Sequence, residues 1–257
     1  MYTITTVCIG SKYTPILPYW KKKVETICSQ IEVFESIPKS VSTDGYAWWD
    51  VLRLTKNLNI LIKTKQPVVH IDIDVIIRKD IRPLVELDYD LIFSQEIGGE
   101  KAFPKECSSQ LGFGICSGFY ILKPSATPFL LKLLNQMKNK TYHTYSDQVT
   151  LMNYIIATPH TVTKEIYEMN DKIFTNNIIH IDGIRICVLD FSLIIRDPIV
   201  TSDQYADHIN IDNIGGVFQF IRYFDEPLES LPLTCRCLKR HLGDTSDSCP
   251  HLALRGY

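Results

Sequence analysis

Strand-like and helix-like segments alternate along the first 160 residues of the 257-residue chain, and few folds accommodate that order. Runs rich in β-branched residues predict strands, and apolar residues three and four positions apart predict the helices between them. The predicted strands cover 2–9, 31–35, 67–73, 90–94 and 118–122, and the apolar stripes of the predicted helices cover 20–31, 48–62, 130–137 and 149–156. This alternation favours an α/β fold with a Rossmann-like, mainly parallel central sheet flanked by helices.

The alternation fades beyond about residue 160, although 185–189 is again strand-like. No repeat and no linker-like change in composition divides the chain, so we predict a single domain over residues 1–257. Near the C-terminus, two histidines and three cysteines form a cluster whose spacing fits no standard zinc site. The members of this cluster are Cys235, Cys237, His241, Cys249 and His251.

The composition argues against several classes of partner. Hydrophobic residues make up 45% of the chain and charged residues 22%, with a net charge of -2, as in an ordinary globular protein. The absence of a basic block or zinc-finger spacing predicts no nucleic-acid partner. No apolar run approaches the roughly 18 residues of a membrane span, and the N-terminus favours a buried strand over a signal peptide. We therefore expect a soluble, cytoplasmic protein.

Two aspartates end the most apolar of the predicted strands, whose sequence is VVHIDID (68–74). Ligands of open α/β sheets bind at the carboxyl ends of the strands. Two carboxylates held close together repel each other, so a cation or a hydrogen-bonding ligand is expected beside Asp72 and Asp74. Asp-x-Asp also occurs in solvated surface turns, but the apolar residues on both sides favour a buried setting. Mn²⁺ or Mg²⁺, which prefer oxygen ligands and often join a carboxylate to a phosphate, would suit this site.

Three blocks of sequence, taken in order, resemble the GT-A-fold glycosyltransferases of the nucleotide-diphospho-sugar transferase superfamily. They are PVVHIDIDVIIRKDIRPL (67–84), CSGFYILKP (116–124) and YSDQ (145–148). The resemblance covers about residues 1–160 and implies a GT-A-like fold that transfers a sugar from a nucleoside-diphosphate sugar to a hydroxyl acceptor, such as a glycan. Residues 1–160 would then bind the nucleotide-sugar, and 161–257 would form the acceptor side and the C-terminal wrap.

The resemblance implies that Asp72-Ile73-Asp74 forms the centre that binds the metal and the diphosphate. Asp74 would coordinate Mn²⁺ or Mg²⁺, and Asp72 would reach the donor ribose and often the metal too. A histidine late in the domain would complete the coordination, with His208 as the candidate and His180, in a strand-like run, as the alternative. His70 would be a packed or hydrogen-bonded strand histidine rather than a ligand.

The resemblance also implies roles on the donor side. Backbone groups of Thr6 and Val7 would read the base, and the ring of Tyr13 would stack on it or would simply be a partly buried loop tyrosine. Arg53 would bind the donor from the helix before the acidic strand. Lys56 is the alternative, and either residue could belong to a solvated helix face.

At the transferred sugar, Ser117 and Gly118 would bring the backbone close, since glycine permits that approach. Asp147 would contact a donor-sugar or acceptor hydroxyl, and Gln148 would lie near the anomeric carbon. Asp147 also stands at the start of a predicted helix, where an acid is favoured for purely structural reasons.

Two other functions remain open from the residues. A phosphohydrolase of the haloacid dehalogenase type also ends a strand in Asp-x-Asp, with the first acid as nucleophile. That family normally places the motif close to the start of the chain, whereas 66 residues precede Pro67 here. A non-catalytic domain that binds sugar-nucleotides or glycans is the second alternative, because a fold does not guarantee an activity.

Overall fold

The structure, a computed structural model, describes residues 1–36, 47–96, 99–138, 146–169, 172–196 and 205–208. In these ranges the α-helices are α1 (Leu17–Glu25), α2 (Ala47–Thr64), α3 (Arg82–Glu86), α4 (Lys105–Leu111), α5 (Thr127–Lys138) and α6 (Ser146–Ala157). Short 3-10 turns at Thr14–Ile16, Gly99–Lys101 and Pro124–Ala126 come before α1, α4 and α5. No helix in the described ranges is long and apolar enough to cross a membrane.

Eleven strands are present in the described residues, and eight of them form the central sheet in the order β2-β1-β3-β6-β5-β9-β8-β7. These eight strands are β1 (Thr3–Val7), β2 (Ile31–Phe34), β3 (Val68–Ile71), β5 (Leu91–Glu96), β6 (Gly114–Leu122), β7 (His160–Met169), β8 (Lys172–Ile181) and β9 (Ile184–Val188). A smaller sheet has the order β10-β11-β4 and contains β4 (Val75–Ile77), β10 (Ile194–Arg196) and β11 (Ala206–His208).

The central sheet confirms the predicted α/β fold, with one refinement of strand direction. Six of its strands run the same way, whereas β6 and β8 run opposite to their neighbours. The antiparallel strand β6 lies between β3 and β5 and contacts the strand that ends in the acidic pair. Hydrophobic periodicity gives the burial of a strand but not its direction, so the sequence could not have predicted this reversal.

The sheet continues past residue 160, where the pattern of alternation fades. Strands β7, β8 and β9 form an antiparallel run that extends the central sheet to its edge at β7. Asp182 and Gly183 both have positive φ in the turn that joins β8 to β9. Asp-Gly between apolar runs is a strong signal for a two-residue hairpin, so the sequence HIDGI contained evidence for this turn that our prediction did not use.

Apolar layers cover both faces of the central sheet. One cluster joins the sheet to α1, α3 and the small sheet, with Trp20 of α1 only 1% exposed. The other cluster joins the sheet to α2, α4, α5 and α6, with Leu61 of α2 fully buried. Since both faces are covered, a ligand has access to the sheet at its edges, where the strands end.

Candidate active site

The acidic pair lies in a turn that follows β3 at the carboxyl edge of the sheet. The Asp72 backbone N–H donates to the carbonyl of Gly118 on β6 (2.8 Å), which holds Asp72 against the neighbouring strand. The Asp72 carbonyl accepts from the N–H of Val75 (3.0 Å), and this bond closes a turn around Asp74. The chain therefore bends between the two aspartates, and the bend allows them different roles.

An open cleft of about 360 Å³ lies beside this turn. Val7, Tyr13, Asp72, Ile73 and Asp74 all line it, so the structure brings these five predicted site residues together. Thr6 is fully buried in β1 and does not line the cleft.

Trp49 also lines the cleft, although the sequence analysis did not single it out. It lies four residues before Arg53 on α2, and residues at that spacing share one face of a helix. With Tyr13, it gives the cleft two aromatic side chains beside two carboxylates. Tyr13 was predicted with two alternatives, and its position fits both, because it is a partly buried loop residue that also lines the cleft.

Arg53 is buried at the centre of a network of polar side chains, with 8% of its surface exposed. Its Nη1 donates to Oδ1 of Asp72 (3.0 Å). Its Nη2 donates to Oδ1 of Asp50 (3.0 Å), to Oγ of Ser117 (3.1 Å) and to Oδ2 of Asp147. One guanidinium therefore joins residues from α2, β6, α6 and the turn after β3. Lys56, the alternative donor-binding residue, lies half-buried further along α2.

The charge of Arg53 is set by opposing effects. Burial disfavours the cation, but the three surrounding carboxylates act in the opposite direction and hold the pKa of Arg53 well above its ordinary value. Arg53 is therefore a permanent cation, and it faces three acids. This excess of carboxylate beside the cleft favours a further cation.

His70 stands directly behind Asp72 and is completely buried. Its Nε2 lies 2.8 Å from Oδ1 of Asp72, and its Nδ1 lies 3.2 Å from the hydroxyl of Thr5. An ionised carboxylate only accepts hydrogen bonds. Nε2 is therefore assigned the ring proton, and its N–H donates a hydrogen bond to Asp72. Burial lowers the pKa of His70, and Arg53 adds to the effect, while the hydrogen bond to Asp72 opposes it. Burial therefore favours the neutral form of the ring.

Asp147 lies at the start of α6, as the structural alternative expects, and its role at a reacting hydroxyl stays a prediction. Its Oδ1 accepts from the backbone N–H of Gln148 (2.7 Å) in the first turn of α6, as a helix-start acid does. The same oxygen accepts from the hydroxyl of Ser117 (3.1 Å), and Oδ2 accepts from Arg53. Gln148 is 4% exposed, and its Nε2 donates to the carbonyl of Phe103 (2.7 Å). Asp147 thus starts the helix and also joins the network that holds Asp72.

The two candidate histidine ligands lie in different parts of the fold. His180 belongs to β8, as expected of a strand residue, four strands away from β3 or roughly 19 Å at normal strand spacing. The backbone of His208 in β11 pairs with Val75, the residue after Asp74. The side chain of His208 lies outside what the structure describes, as does the whole Cys235–His251 cluster. Among the described side chains, no three potential ligands group around one point.

Comparisons with known proteins agree with the geometry. Residues 51–206, more than half of the chain, match the family of nucleotide-diphospho-sugar transferases. A glycosyltransferase involved in the glycosylation of the major capsid of PBCV-1 has a similar fold, with a TM-score of 0.57 and 16% sequence identity. The similarity covers 87% of this chain and 98% of that one.

A weaker match is the apo form of the glycosyltransferase GlyE of Streptococcus pneumoniae TIGR4. Its TM-score is 0.40 at 14% identity, over 60% of this chain and 43% of that one. No curated protein sequence matches the chain significantly.

Proposed function

The chain belongs to the nucleotide-diphospho-sugar transferase family, and from this premise we propose that it is a metal-dependent glycosyltransferase. The donor is a nucleoside-diphosphate sugar, and the acceptor is a hydroxyl group, such as that of a glycan. The family favours this transfer over the phosphohydrolase alternative, in which Asp72 would act as a nucleophile.

The observation that carries the proposal is the cleft in which Asp72 and Asp74 face Tyr13 and Trp49. A volume of about 360 Å³ lies within the usual range for small-molecule sites. Aromatic side chains suit a nucleobase, because bases stack on them, and carboxylates suit a cation that holds a diphosphate. One cleft thus offers surfaces for both parts of a nucleoside diphosphate.

The donor set fits Mn²⁺ or Mg²⁺. These ions are often held by one or two carboxylates and take further oxygen ligands from substrate phosphates, so Asp72 and Asp74 can suffice without a third acid. We assign Asp74 as the main ligand, Asp72 as ligand and ribose contact, and His208, whose backbone lies next to Val75, as the further ligand. When bound, the ion neutralises the diphosphate and stabilises the leaving group.

The remaining predicted residues bind different parts of the substrates. The backbone of Thr6 and Val7 and the ring of Tyr13 bind the base, while Ser117 and Gly118 border the transferred sugar. Asp147 holds a reacting hydroxyl, and Gln148 lies near the anomeric carbon. Arg53 holds Asp72 and Asp147 at a fixed separation, so it positions acids as well as providing positive charge close to the donor.

Nucleoside diphosphates should bind tightly only in the presence of the metal, because the two acids otherwise repel the diphosphate. Isothermal titration of UDP and of GDP, each in Mn²⁺ and in EDTA, measures this. We expect the affinity for the nucleotide with the correct base to be lower in EDTA than in Mn²⁺ by about tenfold or more, because the metal joins the protein to the phosphates. Equal affinity in Mn²⁺ and EDTA for every nucleotide that binds would contradict metal dependence.

Variants in the same titration identify the ligands. Asp74→Ala should remove the effect of Mn²⁺, whereas Asp88→Ala, a change at a fully exposed aspartate, should not. His208→Ala should weaken binding in Mn²⁺, and His180→Ala should not. The reverse ranking of the two histidines would exclude His208 as the ligand.

Asp147→Asn should lower turnover on the order of a hundredfold, because the carboxylate fixes a reacting hydroxyl. The melting temperature should change little, since asparagine retains an oxygen for the N–H of Gln148 and Arg53 keeps Asp50 and Asp72. Asp50→Asn is the matched control, because Asp50 also accepts from Nη2 of Arg53 but has no assigned role in transfer. Near-normal turnover of Asp147→Asn would leave Asp147 with a structural role alone.

A further inference from the structure

We propose that His70 is a positioning residue, which holds the Asp72 carboxylate in one orientation by donating a hydrogen bond from Nε2–H. The importance of Asp72 rests on the proposed function. The role of His70 rests on the contacts that its ring makes with Asp72 and with the neighbouring strands. His70 thus has a role in the transfer reaction although its side chain does not itself reach the cleft.

Two donors approach the same oxygen of Asp72. Nη1 of Arg53 lies 3.0 Å from Oδ1, and Nε2 of His70 lies 2.8 Å from it on a completely buried ring. A carboxylate held by one donor can still rotate about its Cβ–Cγ bond, whereas a second donor on the same oxygen fixes its plane. With Oδ1 fixed, the direction of Oδ2 is fixed as well.

The ring of His70 is held from two further sides. The hydroxyl of Thr5 on β1 lies 3.2 Å from Nδ1, and the ring of Tyr120 stacks on the imidazole with a centroid distance of 4.8 Å and an interplanar angle of 26°. Asn57 on α2 in turn donates to the hydroxyl of Tyr120 (2.7 Å). Residues from three elements, β1, β6 and α2, therefore hold the ring whose Nε2 faces Asp72.

The orientation of a carboxylate ligand matters, because a metal site loses affinity when its carboxylates can rotate. Residues that orient the ligands of a metal typically change affinity or activity by about 10- to 100-fold when they are removed. His70 and Arg53 both donate to Oδ1, so loss of the His70 donor would leave the orientation of this oxygen to Arg53.

Two substitutions separate positioning from packing. His70→Phe keeps a ring that can stack on Tyr120 and removes the donor, while His70→Gln removes the ring and keeps an N–H donor near the position of Nε2. Positioning predicts that His70→Phe lowers turnover and raises the half-saturating Mn²⁺ concentration about 10- to 100-fold, and that His70→Gln recovers most of this. Packing alone predicts the opposite order, because His70→Gln loses the stacked ring and is the less stable variant.

Turnover is measured as release of nucleoside diphosphate over a Mn²⁺ titration, and melting temperature is measured for each variant. Nitrogen NMR of the histidine rings gives a readout independent of activity, and it should show His70 as the neutral Nε2–H tautomer. His160→Phe is the matched control, at a histidine that begins β7 on the far edge of the central sheet, and should leave turnover unchanged.

The outcomes are distinct. If Asp72→Asn has normal turnover, the proposed function of the acidic pair fails, whatever the His70 variants do. If Asp72→Asn is inactive while His70→Phe matches the wild type, or if activity follows melting temperature in both His70 variants, positioning by His70 is overturned. A nitrogen spectrum that shows the proton of His70 on Nδ1 and none on Nε2 would also overturn it, because Nε2 is the atom that faces Asp72.

Discussion

Replacing Asp74 by alanine should lower turnover on the order of a thousandfold, because a metal that stabilises a leaving group contributes several kcal/mol to the barrier. Asp74 lines the cleft in the turn after β3, where its carboxylate can meet a diphosphate. The fold should remain intact, since removing one of two neighbouring like charges relieves repulsion. Turnover and melting temperature measured on the same preparation test both parts.

Asp88→Ala provides the control, because Asp88 is an aspartate exposed on the surface of the same domain. It should retain full turnover. Near-normal turnover of Asp74→Ala would remove Asp74 from the reaction. A loss of turnover that parallels a large fall in melting temperature would instead assign Asp74 a structural role.

Replacing Arg53 by leucine should destabilise the protein by about 3–5 kcal/mol, the usual cost when one partner of a buried ion pair is removed. The guanidinium is 8% exposed and holds Asp50, Asp72 and Asp147, so its loss leaves three acids close together with no cation among them. Chemical denaturation measures the free energy of unfolding. Turnover of the folded fraction should also fall, because Asp72 and Asp147 lose their shared donor.

Lys56→Leu, on the same helix, is the control for Arg53→Leu and should change the free energy of unfolding by no more than about 0.5 kcal/mol. Arg53→Lys tests geometry, because lysine keeps the charge but cannot reach several acceptors with one planar group. Adding Asp147→Asn to Arg53→Leu should restore part of the stability by removing one of the acids. Equal stability of Arg53→Leu and the wild type would contradict the network.

The local features of the site were predictable because they depend on neighbouring residues. The run VVHIDID combines burial and charge within seven positions, so its strand and its acids could both be recognised. The apolar stripe predicted at 130–137 lies within α5, Thr127–Lys138, for the same local reason. The apolar helical stripe predicted at 20–31 was less accurate. Helix α1 ends at Glu25, and the apolar residues just after it lie in a turn and pack against the core.

The network around Arg53 was not predictable from spacing. Its partners Ser117 and Asp147 lie 64 and 94 residues away along the chain, and only the placement of β6 and α6 beside α2 brings them together. Arg53 was predicted to bind the donor, and in the structure it also holds three acids. His70 is a buried, hydrogen-bonded strand histidine as predicted, but its contacts with Thr5 and Tyr120 from two other strands were not predictable.

The most direct test of metal-dependent sugar transfer is the release of nucleoside diphosphate from a panel of nucleotide-sugars, measured in Mn²⁺ and in EDTA. We expect one donor or a small group of donors to be turned over in Mn²⁺, with hydrolysis by water revealing activity even before the acceptor is known. EDTA and Asp74→Ala should each abolish that turnover. Turnover of the preferred donor that is equally fast in EDTA, or that survives in Asp74→Ala, would contradict the account.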